Sequence, residues 1–143
     1  MIAFRRPALQ QQVVDWFGDQ SVVVVDLALA CCAIETEFAM PVGAPRLDEV
    51  PPGATVVAIV SGTLTDALAR PVARAVESLQ PDHVVSFGAC ASAGGPYWDA
   101  WSVTKGADQV VAVDTWIAGC PPPPDSLAAV VDQLRSQRGV AHG

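Results

Sequence analysis

The sequence predicts an α/β fold, a parallel sheet of about four strands flanked by helices. Three observations carry this prediction. Short β-branched runs recur at 21–27 (SVVVVDL), 55–60 (TVVAIV), 83–87 (HVVSF) and 109–113 (QVVAV), and such runs suit strands buried on both faces. Segments with helical spacing of apolar residues alternate with them. The order is strand, helix, strand, helix, strand, loop, strand, helix, which argues for parallel strands with helices packed on the sheet.

The elements follow in chain order. Leu9, Val13, Trp16 and Phe17 stand at i, i+4, i+7 and i+8 and give a weak helix over 8–17, ended by Gly18. The first strand comes next, with Cys31 and Cys32 just past its C-terminal end. A short helix runs through Ile34 and Phe38 and stops before Pro41. Segment 41–54 (PVGAPRLDEVPPGA) holds four of the twelve prolines and reads as a loop. It is not an interdomain linker, because neither flank is long enough to fold alone. After the second strand the chain turns away over Ser61–Thr65. Pro71 suits the first turn of a helix that reaches about Leu79, with Val72, Ala75, Val76 and Leu79 on one face. The third strand enters a glycine- and alanine-rich loop, 88–97, that contains Cys90. The fourth leads to Gly119, Cys120 and Pro121–Pro124. Pro124 then opens a last helix with Leu127, Val130, Val131 and Leu134 at i, i+3, i+4 and i+7.

Composition bounds the function. A chain of 143 residues is expected to be one domain, 1–143, with its core at about 20–137. Apolar residues make up 51% and charged residues 16%, with a mean hydropathy of +0.35, which excludes disorder and a solvated coiled coil. The apolar surplus requires either a large core or a surface covered by a partner. A net charge of −7 is the wrong sign for a nucleic-acid binder or for direct contact with an anionic membrane. The segment after Arg5 and Arg6 is too polar for a secretory signal. The longest apolar stretch, Val22–Ile34, is broken by Asp26 and falls short of the roughly 20 residues of a membrane helix. The expectation is a cytosolic, non-spanning chain in which structural disulfides are disfavoured.

The cysteines therefore need another role. Cys31, Cys32, Cys90 and Cys120 each fall just past a strand's C-terminal end or one loop beyond it. That edge is where open α/β sheets bind ligands. Taken one at a time, each cysteine reads as a small buried hydrophobe; all four on one edge read as a shared site. Three chemistries compete. A bridge between adjacent Cys31 and Cys32 would be strained, since their Cα atoms are only about 3.8 Å apart. Structural zinc usually takes paired CxxC knuckles, which are absent from this sequence. An iron–sulfur cluster needs thiolates and tolerates irregular spacing. Adjacent side chains on a regular strand point to opposite faces, so physics alone assigns only one of the pair to a metal. Gly88, Gly94, Gly95 and Gly119 allow close backbone approach, and the prolines after Cys120 stiffen that loop.

Four runs in order, LALACCAIE (27–35), SGTLT (61–65), SFGACASAGGPY (86–97) and VDTWIAGCPPPPD (113–125), make the chain resemble a known family. It is the family of the 20 kDa subunit (B subunit) of NADH-quinone oxidoreductase, or complex I, related to the small subunit of nickel–iron hydrogenases. The resemblance covers about residues 20–137 and describes a divergent, compact member. It implies a flavodoxin-like parallel sheet and one 4Fe-4S cluster held by Cys31, Cys32, Cys90 and Cys120. It also implies an electron relay to quinone or to a partner-subunit centre, with no independent active site. The implied partners are a hydrogenase-large-subunit-like (complex I 49 kDa-like) protein and membrane subunits. The implied location is peripheral to the inner face of the cell membrane. Thr36–Ala54 departs from the family pattern, being shorter and proline-rich with Arg46 as its only basic residue. The alternatives are a structural or assembly subunit without a working cluster and a zinc-stabilised interaction module.

Other candidates carry two readings each. Glu35 is a carboxylate beside the cluster or a solvated capping residue. Asp26 is a functional group at the site or sits at an exposed strand end, since burial would demand a partner. His83 is read as structural, and His142 lies near the C-terminus. Tyr97, Trp98 and Trp101 either cover the cluster and anchor a larger subunit or pack in the core.

Overall fold

The computed structural model describes residues 13–29 and 32–141. Six strands form one sheet: β1 (Val13–Asp15), β2 (Val22–Ala28), β3 (Arg46–Leu47), β4 (Thr55–Ser61), β5 (His83–Phe87) and β6 (Thr115–Ile117), in the order β3-β1-β2-β4-β5-β6. The helices are α1 (Cys32–Ala39), α2 (Asp66–Leu79), α3 (Ala89–Ala93) and α4 (Pro124–Ala141). Strands β2, β4, β5 and β6 are parallel, while β1 pairs antiparallel to both β2 and β3. The flavodoxin-like parallel core of four strands is thus present, extended on one side by short β1, which runs against it, and by short β3, which pairs antiparallel with β1 and so runs in the direction of the core.

The central strands are buried on both faces for the reason their sequences give. In β2, Val23, Val25 and Leu27 join one core with Val56, Ala58, Val60 and the α2 residues Val72, Ala75, Val76 and Leu79. Val22 and Val24 join a second core with Val57, Ile59, Val85, Phe87 and the α4 residues Leu127 and Val131. The apolar stripes read from the sequence for α2 and α4 are therefore the packed faces. Helix α2 starts at Asp66, a turn earlier than expected, and carries Pro71 inside it. Its end is set by Gln80, which takes a left-handed conformation and donates its N–H to Val76.

Three expectations fail for stated reasons. The weak helix over 8–17 is replaced, in its described part, by β1, because pairing with β2 buries Val13 and Val14 almost completely. The rest of that segment lies outside the described residues. The run 109–113 is not a strand. A 3₁₀ turn, Ala107–Gln109, bends the chain there, with the Val110 and Val111 amides donating to the Ala107 carbonyl. Val110, Val111 and Val113 still pack against the α2-side core, so apolar burial is met without a ladder. The fourth parallel strand is instead β6, two residues further on. The loops 41–54 and 88–97 also contain structure, namely β3 and α3 with a following 3₁₀ turn, Gly95–Tyr97.

At the N-terminal edge a repeated device closes the sheet. Asp82 precedes β5 and accepts the Val56 amide at 2.8 Å; Asp114 precedes β6 and accepts the Val84 amide at 2.8 Å. Each carboxylate satisfies a donor that the next strand begins too late to reach. The sheet's other edge is left for the site.

Candidate cluster site

One line of register fixes the C-terminal edge. Ala28 pairs with Ser61, Ser61 with Phe87, and Phe87 with Ile117, so all four parallel strands end on one row. Cys90 and Cys120 each lie three residues past that row and Cys32 four. Cys31 lies outside the described residues. The sequence expectation that the cysteines share one edge therefore holds for the three that are described.

Each side chain is placed by local structure. Cys32 opens α1 and is 1% exposed. Its sulfur lies against Gly88, where any Cβ would stand 2.6 Å from Sγ. Cys90 is the second residue of α3 and is 3% exposed. Its sulfur lies against Gly95, where a Cβ would stand 2.8 Å away. Gly88 has φ +100° and Gly95 φ +58°, so both conformation and space demand glycine. Cys120 is exposed and precedes a cis peptide bond to Pro121. Two hydrogen bonds tie its loop to that of Cys90: Gly88 N–H to Ile117 O at 2.8 Å, and Ala89 N–H to Gly119 O at 2.7 Å. Gly88 thus touches the loops of Cys32 and Cys120 while it caps the helix of Cys90.

Among the described residues no three His, Cys, Asp or Glu side chains converge as a ready ligand set. The fit to a cluster rests on donor chemistry and on the glycine contacts. Thiol sulfurs at one edge, two of them against glycine backbone that leaves no room for a side chain, suit a bulky sulfur-ligated inorganic group.

Asp26 is the main electrostatic feature nearby. It is on the α1 face of β2, mostly buried. The Ser61 hydroxyl donates to Oδ1 at 2.7 Å, and the Thr36 hydroxyl is bonded to Oδ2. Burial pushes its carboxyl from 3.8 up to about 6; the Thr36 and Ser61 hydrogen bonds oppose this rise, and the negative charge of Glu37 adds to it. Of its two sequence readings, the exposed strand end is excluded. A cavity of about 180 Å³ opens beside it, lined by Val14, Asp26, Ala28, Ala33, Glu37, Met40 and Arg46. Arg46 Nη2 meets Glu37 Oε1 at 2.6 Å at the rim. Sequence reasoning misses Thr36, Ser61 and Glu37; the usable signal is Thr36 one helical turn after Cys32, on the face that turns inward.

The other candidates also resolve. His83 Nε2 is 2.7 Å from Thr115 Oγ1, across β5 and β6, a structural role. Tyr97, Trp98 and Trp101 are 57%, 58% and 94% exposed, which excludes core packing. Ile34 and Phe38, the residues that mark α1 in the sequence, face outward, because Cys32 and Thr36 take the inner face. Glu35 is half-buried. His142 lies outside the described residues.

Residues 20–134 match the model of the family described as NADH ubiquinone oxidoreductase, 20 Kd subunit. The chain belongs to this family. It is 41% identical over 138 residues to the second B subunit of NADH-quinone oxidoreductase of Streptomyces griseus, an alignment covering 92% of this chain and 59% of that protein. It is 41% identical over 137 residues to the first B subunit of the same enzyme of Salinispora tropica, covering 90% and 71%. The chain thus spans between about three fifths and seven tenths of the length of these two relatives. Among solved structures, a chain of the archaeal membrane-bound sulfane sulfur reductase, described as a respiratory membrane complex, aligns with TM-score 0.63 at 22% identity. The match covers 85% of this chain and 72% of that one, and shows a shared fold. Among the described residues no helix is long and apolar enough to cross a membrane.

Proposed function

We propose that this chain is an electron-transfer subunit of a complex I-like or membrane-bound-hydrogenase-like oxidoreductase, built as one domain. It carries one 4Fe-4S cluster on Cys31, Cys32, Cys90 and Cys120. The observation that carries this reading is the common register row, with the described cysteines three or four residues past it and glycine backbone against two of their sulfurs. When bound, the cluster supplies one-electron acceptance and release. The protein would hold it by cysteine thiolates, with Cys32 at the start of α1, Cys90 at the start of α3 and Cys120 after β6; it brings backbone close at Gly88 and Gly95, and keeps Cys32 and Cys90 from water.

The exposed aromatic group Tyr97, Trp98 and Trp101 follows directly on the Cys90 loop. It supports docking of a large subunit, of hydrogenase-large-subunit type, over this edge. Through that subunit and membrane subunits the chain sits on the inner face of the membrane and passes electrons to quinone or to a metal centre of the partner. The family membership and the relatives' names support this assignment.

Anaerobic purification with the partner, iron and sulfide analysis and EPR of the reduced protein test it. About four iron and four sulfide per chain are expected, with a signal abolished by Cys90→Ser. Zinc, or no metal at all, would instead make the chain a structural or assembly subunit. An unchanged spectrum in the Cys90 variant would remove that ligand.

A further inference from the structure

We propose that segment 118–122 is the opening of the cluster site: Cys120, at its tip, makes the first bond to an incoming cluster, and release of the segment from Gly88 and Ala89 then uncovers Cys32. The nature of the cargo rests on the function proposed above. The described cysteines are near one another without forming a ligand set. No three His, Cys, Asp or Glu side chains converge among the described residues, so part of this edge must shift before Cys32, Cys90 and Cys120 share one group. Their burial is graded: Cys32 is 1% exposed and Cys90 3%, while Cys120 is in solvent.

The way the segment is fastened makes it the part that shifts. Two backbone hydrogen bonds tie its start to the Cys90 loop, and in both it only accepts: Gly88 N–H donates to Ile117 O at 2.8 Å, and Ala89 N–H to Gly119 O at 2.7 Å. Residues 121–124 are prolines, which have no N–H to donate. The chain is fastened again only at the start of α4, where Ser126 N–H donates to Pro123 O at 3.1 Å. Between these points the segment folds back on itself, so that a Cβ on Gly119 would stand 2.5 Å from Pro122 Cα. Cys120 and Pro121 form its exposed tip, and Pro122 is buried. Cys32 and Cys90, by contrast, belong to helices α1 and α3. The segment also lies beside Cys32: the Gly119 carbonyl and Cys32 Sγ flank the same side of Gly88, 3.6 Å and 2.6 Å from the point where a Cβ would stand. Lifting Gly119 away breaks two backbone hydrogen bonds and opens the space next to that sulfur. Cys90 is sealed separately, against Gly95.

The first step is an exchange of thiolates. Cys120 Sγ bonds to an iron of a donor cluster as one donor thiolate leaves, the Cys120 proton departs on the displaced thiol, and no electron moves. An exposed thiol can do this and a buried one cannot.

The test uses the full reduced chain without metal, labelled with iodoacetamide and read peptide by peptide by mass spectrometry. Cys120 should react about a hundredfold or more faster than Cys32 and Cys90. The Cys32 rate should not depend on urea well below the unfolding transition, the mark of a local opening. Gly119→Ala strains the closed segment and should raise the Cys32 rate about fivefold relative to that of Cys90. Comparable rates for Cys120 and the buried pair, a Cys32 rate that climbs with urea along the global unfolding slope, or a Cys32 to Cys90 ratio unmoved by Gly119→Ala overturns the proposal. The urea dependence needs no variant and decides the matter should Gly119→Ala not fold. Uptake of a synthetic 4Fe-4S tetrathiolate cluster, followed by visible absorbance, gives the order of ligation. Cys120→Ser should slow the initial rate about tenfold or more, beyond any slowing in Cys31→Ser, Cys32→Ser or Cys90→Ser. An initial rate untouched in Cys120→Ser, or slowed more by another of these changes, overturns Cys120 as the first ligand. A wild type that takes up no cluster refutes the electron relay, and the labelling rates then decide the opening alone.

Discussion

Asp26 sits where the sequence alone would place another valine, in the middle of an apolar strand. Its presence was legible; its partners were not, since Thr36 and Ser61 lie ten and thirty-five residues away. Below pH 3.8 the carboxyl is protonated both folded and unfolded. Between there and about 6 the unfolded chain gives up the proton and the folded chain keeps it, so this group's stabilising contribution is full at low pH and lost as pH rises through about 6. Urea unfolding of wild type and Asp26→Asn should therefore diverge from pH 4 to pH 7, the wild type losing up to about 3 kcal/mol relative to the variant. Gly88 is a second single-residue test. A methyl group there meets Cys32 Sγ at 2.6 Å at a φ of +100°, so Gly88→Ala should cost about 1–3 kcal/mol in urea unfolding and expose Cys32 to thiol reagents. A loss under about 0.5 kcal/mol would show that the loop relaxes without cost.

Elements were legible where one face decides them. The stripe Val72, Ala75, Val76 and Leu79 defines α2 in both sequence and structure, because burial at i, i+3, i+4 and i+7 has one helical solution. The run at 109–113 misled because β-branching favours extended backbone, yet β5 is paired two residues later, at Thr115–Ile117. Its apolar side chains reach the core from a turn instead. Helix α1 shows itself in the sequence through Ile34 and Phe38, which face water, 59% and 75% exposed. The inward stripe is Cys32 and Thr36, too short and too polar for periodicity to detect. At this scale the Asp114 carboxylate should matter despite its exposure: Asp114→Ala leaves the Val84 amide without its acceptor and should cost about 1–2 kcal/mol by urea unfolding. An unchanged midpoint would mean that water replaces the carboxylate without loss.

The whole molecule presents one edge of thiols and, next to it, indole rings in solvent. Trp98→Ala with Trp101→Ala should leave stability within about 0.5 kcal/mol, since both rings are exposed. The same pair should reduce recovery of a large partner in pull-down by tenfold or more; equal recovery would place the interface elsewhere. The acidic balance and the apolar surplus were readable from composition, and the family from four short runs. By itself the sequence determined the parallel core, because β-branched runs with long crossovers have few other ways to bury both faces. It also determined the candidate ligands, because their residue types and loop positions are local facts. Only the tertiary structure decided that four strand ends share one register row, that glycine backbone seats two sulfurs, and that Asp26 finds Thr36 and Ser61. Each of those depends on pairing distant strands, and strand register is a property of the assembled sheet that no local window contains.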